Sequence, residues 1–272
     1  MTLPQRAIPS TGEPLPILGL GTWQVLDLPP ALCAERAPVV RELFRSGGTL
    51  LDSSPMYGRS EACAGELLRD LGLRDRAFVA TKVWTTGRAE GEAQLQRSLE
   101  LFGGDRLDLV QVHNIVDLST QLATLRRWQS DGRVRYVGVT HYAPSAHAQL
   151  AAVLRRERLD FVQLDYAADD RSAERELLPL AQQRGIAVLV NRPFGGGALL
   201  RRLAARPQPP VARELQCASW AQLLLKFVLA HPAVTCAIPA TGDVAHLGEN
   251  IAAAAGLLPD RAQCEAIAAA VA

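Results

Sequence analysis

Hydrophobic positions along the chain follow two alternating periods. Short, nearly continuous apolar runs rich in β-branched residues occupy 16–22 (PILGLGT), 49–54 (TLLDSS), 78–84 (FVATKVW), 107–113 (LDLVQVH), 134–140 (VRYVGVT), 161–165 (FVQLD), 186–191 (IAVLVN) and 234–239 (VTCAIP). Runs of this kind read as parallel strands covered on both faces. Between them, apolar residues recur at helical spacing over 33–47, 61–72, 91–103, 118–132, 145–157, 173–185, 220–231 and 244–256. Several of these stretches end in Gly or have one just past the last turn, as helix C-termini prefer. Eight strands alternating with eight helices predict an α/β fold of (β/α)8 TIM-barrel type. One domain is expected over 1–272, with a short N-terminal extension or hairpin and a C-terminal helix in the Ala-rich tail. A doubly wound sheet would place G-x-G-x-x-G after its first strand, opening a helix. Here Gly19-Leu20-Gly21-Thr22-Trp23-Gln24 lacks the third glycine. The Pro-rich segment 206–215 reads as an extended loop between strand seven and its helix.

Composition narrows the class. Of 272 residues, 48% are hydrophobic and 21% charged, which suits a packed core rather than long disorder or a fibrous repeat. A formal net charge of +1 argues against a nucleic-acid or anionic-membrane binder, whose affinity needs a basic surface. The N-terminus lacks a signal-peptide pattern, and no apolar run approaches the ~20 residues of a membrane helix. A cytoplasmic location follows as an expectation. Cys33, Cys63, Cys217, Cys236 and Cys264 are odd in number and widely spread, with no C-x-x-C pair. They are expected to be buried free thiols, with no zinc site or disulfide framework and no other metal. Lys82 and Lys226 are the only lysines in an arginine-rich chain. Lys226, in its helix, reads as surface charge.

In a barrel of this type the chemistry lies at the C-terminal ends of the strands. Strand two ends at Asp52, with Tyr57 just beyond; Lys82 lies near the end of strand three and His113 ends strand four. Strand five ends in Thr140-His141-Tyr142, strand six holds Gln163, and strand seven ends in Asn191-Arg192. An ammonium inside a buried strand needs a partner, and Asp52 at the neighbouring strand end is the natural one. A phenol next to that cation has its ionised form favoured, so the pKa of Tyr57 is expected to fall. Such a Tyr is a general acid for a carbonyl oxygen, and His113 is placed to orient that oxygen.

These residues carry a resemblance to the aldo-keto reductases that runs over nearly the whole chain. The matching segments are Gly19–Trp23, Asp52–Gly58, Thr81-Lys82, Gln111–His113, Gly138–Thr140, Gln163, Ile238-Pro239 and Glu249-Asn250. The resemblance implies reversible reduction of an aldehyde or ketone by hydride from a nicotinamide cofactor bound at the barrel mouth. It implies Tyr57 as proton donor, Lys82 lowering its pKa, Asp52 anchoring Lys82 and His113 orienting the carbonyl. The cofactor is implied to contact Gly21, Thr22, Trp23 and Asp52, then Thr140, His141 and Gln163. It continues past Asn191, Arg192, Pro193, Phe194 and Gly195 to Ile238, Pro239, Ala240, Thr241, His246, Glu249 and Asn250. NADP(H) is preferred by the family as a whole and NAD(H) is possible. Ala240 and His246 stand where NADP-preferring members often have Lys and Arg on the 2′-phosphate, and Asn191 replaces a stacking aromatic.

Trp23, Met56, Trp84 and Tyr142, with Tyr57 and His113, are placed to line an open, apolar substrate pocket. Trp128 and Trp220 sit on helices and read as core. The expected partner is a small-molecule carbonyl, with no nucleic acid or membrane, in a monomer or weak homo-oligomer. Two other readings compete: a barrel aldolase forming a Schiff base at Lys82, and a nicotinamide-binding redox sensor or partner subunit with little turnover.

Overall fold

The computed structural model describes residues 2–272. Strands β1 (Gln5–Ala7) and β2 (Pro14–Pro16) pair as an antiparallel hairpin. Eight further strands run parallel in chain order: β3 (Leu20–Gly21), β4 (Leu50–Asp52), β5 (Phe78–Val83), β6 (Leu107–His113), β7 (Val134–Thr140), β8 (Phe161–Asp165), β9 (Ala187–Asn191) and β10 (Val234–Ala237). The sheet closes on itself. Gly19 N donates to Ala237 O at 2.9 Å, Ala237 N to Ile17 O at 2.9 Å and Gly21 N to Pro239 O at 3.2 Å. A Cβ on Gly21 would lie 2.8 Å from the Ile238 carbonyl oxygen, so the seam needs glycine there. The predicted barrel, its eight strands and its N-terminal hairpin are all present.

Side chains alternate across each strand, so every second residue faces the barrel interior. Leu50, Phe78, Ala80, Leu109, Tyr136, Phe161, Leu189 and Cys236 form one buried apolar cluster inside the barrel. Ile8 and Leu15 of the hairpin complete it and plug the end where the strands begin. Two residues further along their strands stand Asp52, Lys82, Gln111, Gln163 and Asn191. The same pleat thus gives an apolar floor and, one repeat later, a polar tier at the mouth.

The helices cover the outside, with three departures from expectation. The stretch 33–47 breaks into Pro30–Cys33 and Ala37–Arg45, joined by a 3-10 turn at Ala34–Arg36. Pro38 lies in the first turn of the later helix, where its missing N–H has no intrahelical acceptor to lose. The Pro-rich segment is not simply extended: Pro210–Glu214 is helical, with Pro210 at its start. Lys226 is not surface charge. It is buried on helix Trp220–Ala230, and its Nζ donates to the Leu257 carbonyl just past helix Val244–Ala255. The C-terminal helix, Arg261–Val271, starts on a capping box between Asp260 and Gln263. Trp128 and Trp220 are core residues, as their helices suggested. No helix among the described residues is long and apolar enough to cross a membrane.

The expectation of five free thiols is also corrected. Cys33 and Cys63 form a disulfide, while Cys217 and Cys236 are buried free thiols and Cys264 is half-buried and free. The bond joins the end of helix Pro30–Cys33 to helix Ser60–Asp70. It closes a loop with a sequence separation of 30. Chain entropy gives such a cross-link about 3–4 kcal/mol. The double variant Cys33→Ser/Cys63→Ser is expected to lose stability by about that amount in urea unfolding, and reductant should then change the wild type but not the variant.

Candidate active site

Lys82 is 0% exposed. Its Nζ donates to Asp52 Oδ2 at 2.7 Å and to the Ser53 carbonyl at 2.7 Å. The other Asp52 oxygen accepts from Gln163 Nε2 at 2.8 Å and from Gln111 Nε2 at 3.4 Å. Burial works against the Lys82 charge, but Asp52 and Tyr57 more than offset it and hold its pKa above the ordinary lysine value. The ammonium lies 5.0 Å from the centre of the Tyr57 ring. On the outer face of β5, Thr81 Oγ1 donates to the buried Glu61 carboxylate at 2.5 Å.

Tyr57 itself departs from the sequence expectation. Its pKa is raised, chiefly by burial; Lys82 pulls it down, while Asp52 pushes it up. The phenol therefore holds its proton at neutral pH. His113 meets it edge-on, with ring centres 5.9 Å apart and planes at 86°. Burial, then Lys82 and His141, push the His113 pKa down to about 3, so the ring is neutral. Its Nδ1 lies 3.0 Å from Ser54 Oγ, and Met56 N donates to that same hydroxyl oxygen at 3.3 Å. The four residues singled out in the sequence are thus brought together. Ser53, Ser54 and Gln111 lie in segments that carry the resemblance but receive no role from it, although Gln111 carries a signal: a polar residue at an inward position of the apolar run 107–113.

Around this centre, Thr140 Oγ1 donates to Gln163 Oε1 at 3.1 Å, and Asn191 Nδ2 reaches the same oxygen at 3.4 Å. Asn191 Oδ1 is buried with no hydrogen-bond partner among the described residues. An orphaned acceptor beside Gln163 and Thr140 fits the amide of a nicotinamide carboxamide. His141 Nδ1 accepts from Ala143 N at 3.2 Å, which leaves the ring proton on Nε2 as a donor. The other expected cofactor residues divide. Arg192 faces Tyr142, with its guanidinium 5.2 Å from the ring centre. Pro193 is buried, and Phe194 packs against the core next to the glycine turn Gly195–Gly197. Thr22 turns its hydroxyl to Ser53 Oγ at 2.9 Å. Glu249 accepts from Ser219 Oγ at 2.6 Å, which ties it to a helix cap rather than leaving it open. Ile238, Pro239 and Asn250 are buried; Thr241 is half-buried; Ala240 and His246 are exposed.

Trp23 (47%), Met56 (38%), Trp84 (43%) and Tyr142 (49%) are exposed apolar side chains following the ends of β3, β4, β5 and β7. They form an apolar rim over the polar tier. Left-handed backbone at non-glycine residues occurs mostly just past strand ends: Gln24 after β3, Asn114, Ile115 and Asp117 after β6, and Arg192 after β9, with Gln216 elsewhere. Such strain persists only where the surroundings enforce it, and it clusters at ligand sites. No group of three His, Cys, Asp or Glu side chains suited to a metal ion occurs among the described residues.

A barrel with this site at its mouth is matched by one family model. The Aldo/keto reductase family model covers residues 17–271, and the chain belongs to that family. Among curated proteins, it is 29% identical over 258 residues to a methylglyoxal reductase of Escherichia coli, spanning 91% of this chain and 89% of that one. It is 28% identical over 231 residues to an NADH-specific methylglyoxal reductase of the same organism, spanning 72% and 69%. Among solved structures, an aldo-keto reductase from Klebsiella pneumoniae in complex with NADPH superposes with a TM-score of 0.82 at 25% identity, covering 98% of this chain and 94% of that one.

The neutral His113 links the site to acid stability. Unfolded, a histidine titrates near 6.5, whereas here the value is about 3. The unfolded chain therefore binds more protons between those values, and stability falls as pH drops through that window. The effect reaches about 1.4 kcal/mol per pH unit for one full proton. Urea titrations from pH 7 to 4 are expected to show a shallower loss in His113→Asn than in the wild type.

Proposed function

We propose that the whole chain acts as one domain that reduces an aldehyde or ketone to an alcohol with a nicotinamide cofactor, using Tyr57 as proton donor. The observation that carries this reading is the fully buried Lys82 ammonium held by Asp52 and facing Tyr57, beside a neutral His113. Thr140, His141, Gln163 and Asn191 hold the carboxamide end, and the segments 192–195 and 238–250 hold the remainder. When bound there, the dihydronicotinamide supplies the hydride that reaches the carbonyl carbon.

Tyr57 gives its proton to the carbonyl oxygen as negative charge develops on it. Its raised pKa keeps it protonated in the resting enzyme. Lys82 acts when the proton leaves, because an adjacent ammonium stabilises the phenolate in a site where water does not screen it. Asp52 keeps Lys82 charged and fixed. His113 is neutral and so does not repel Lys82. With Ser54 Oγ–H donating to Nδ1, its Nε2–H is free to hold the carbonyl oxygen. The raised Lys82 pKa speaks against a Schiff-base aldolase, which needs a neutral amine. A redox sensor without turnover has no use for a complete proton-donating set.

The apolar rim and short loops suit small, reactive carbonyls, and methylglyoxal, the substrate named for two relatives, is the first to assay. NADP(H) is the first cofactor, with NAD(H) as the alternative. We place the enzyme in the cytoplasm as a monomer or weak homo-oligomer acting on small molecules, not nucleic acid or membrane. There the reducing pool opposes the Cys33–Cys63 bond, but both cysteines are buried from it.

Tyr57→Phe is expected to lower kcat by about 10²–10⁴-fold while the dissociation constant for the cofactor stays within about two-fold. Lys82→Arg is expected to fail as well, because a planar fork neither fits the buried slot nor points at Tyr57 as a point charge does. Steady-state kinetics with fluorescence titration of the cofactor checks both. Full activity in Lys82→Arg overturns the role given to Lys82.

A further inference from the structure

The loop after β10 lacks the expected cations at Ala240 and His246, yet the structure brings another cation to it. Arg36, in the 3-10 turn Ala34–Arg36, lies directly against Gly242. A Cβ at 242 would sit 2.8 Å from Arg36 Nε, 3.3 Å from Cζ and 3.4 Å from Cδ, so the glycine leaves room for the guanidinium to lie against this loop. Arg36 Nε is buried and has no hydrogen-bond partner among the described residues. The acid paired with this guanidinium is Glu35, at 3.9 Å on a side chain 60% exposed, which is a weak competitor. Two N–H groups at the N-terminus of helix Val244–Ala255 are already taken. Asp243 Oδ1 accepts from Ala245 N at 2.6 Å and from His246 N at 3.1 Å.

We propose that Arg36 supplies the positive charge that reads the adenosine 2′-phosphate and so decides between NADPH and NADH. The proposal rests on the nicotinamide-site reading above, which puts the adenosine end at residues 238–250. The chemistry favours arginine. Its fork carries several N–H donors matched to phosphate oxygens, and although Nε is sealed against the loop the side chain keeps 27% of its surface open to a ligand. Asp243 works in the other direction, because a carboxylate beside the ribose favours a 2′-hydroxyl over a phosphate. The cation on the neighbouring turn sets the balance.

The test is binding, independent of turnover. NADPH and NADH are titrated by quenching of tryptophan fluorescence, and 2′,5′-ADP and 5′-AMP by calorimetry. The wild type is expected to bind NADPH about ten-fold or more tightly than NADH. Arg36→Leu is expected to lose about ten-fold or more for NADPH and for 2′,5′-ADP, while NADH and 5′-AMP change by less than about two-fold. Adding Ala240→Lys to Arg36→Leu should restore the NADPH preference from the position usual in the family. Retained NADH binding reports that the variant is folded. The proposal is overturned if Arg36→Leu leaves NADPH affinity unchanged, if it weakens both dinucleotides equally, or if the wild type prefers NADH. A wild type that binds neither dinucleotide overturns the cofactor reading itself.

Discussion

A charged ammonium without access to water organises the working end of this barrel. Burying such a charge costs several kcal/mol unless its partners are close and themselves satisfied. Lys82 of β5 meets that condition through Asp52 and the Ser53 carbonyl at the end of β4. Asp52 meets it through Gln163 of β8 and Gln111 of β6. Four strands are therefore coupled by one charge, and the geometry of Tyr57 depends on all of them. The outer face of β5 is held too, by Thr81 on Glu61, whose pKa is raised by burial. Neither side of the strand is free to shift the lysine.

This polar tier sits where it does because of the pleat. A repeat of two residues places Leu50 then Asp52, Ala80 then Lys82, and Leu109 then Gln111 on the same interior face. The hairpin side chains Ile8 and Leu15 close the apolar floor, so water has no route to the ammonium from below. From above, the Tyr57 turn is clasped by Asp27, whose Oδ1 accepts from Arg59 N at 2.9 Å. The Cys33–Cys63 bond fastens the same two segments together. Tyr57, the proposed proton donor, is thus positioned by loop contacts outside the barrel and by a charge inside it.

What could be read in advance was what depends on period and on residue type. Strand runs, helical spacing and the polar residues at strand ends are local properties, so Asp52, Lys82, His113 and Gln163 stood out without a structure. What escaped depends on tertiary approach. Cys33 and Cys63 are far apart in sequence, and their pairing needs the helix Pro30–Cys33 to dock on Ser60–Asp70. The direction of the Tyr57 shift turns on the balance between burial and a neighbouring cation, and spacing supplies only the cation. Pro210 was legible and misread: Pro opens helices as readily as it extends loops.

Lys226 shows how the helix after β10, where we propose the adenosine end to lie, is held. Its ammonium, 2% exposed, bonds the Leu257 carbonyl beyond the C-terminus of helix Val244–Ala255, despite burial that lowers its pKa. Asp243 caps the other end of that helix. Both charges complement the helix dipole, and Glu249 is tied to Ser219 on the neighbouring helix. A helix balanced in this way is firmly seated but has given two N-terminal donors to its own cap, and a phosphate there meets Asp243. That is why the proposed discrimination between the two dinucleotides is assigned to a residue outside the helix. Arg36 belongs to the segment that begins with Trp23 at the substrate rim and passes through Asp27 at the Tyr57 turn and Cys33 at the disulfide. One strap of chain thereby joins the apolar rim, the Tyr57 turn and the loop after β10, the proposed places of substrate, proton donor and adenosine, so a change that loosens it reaches all three.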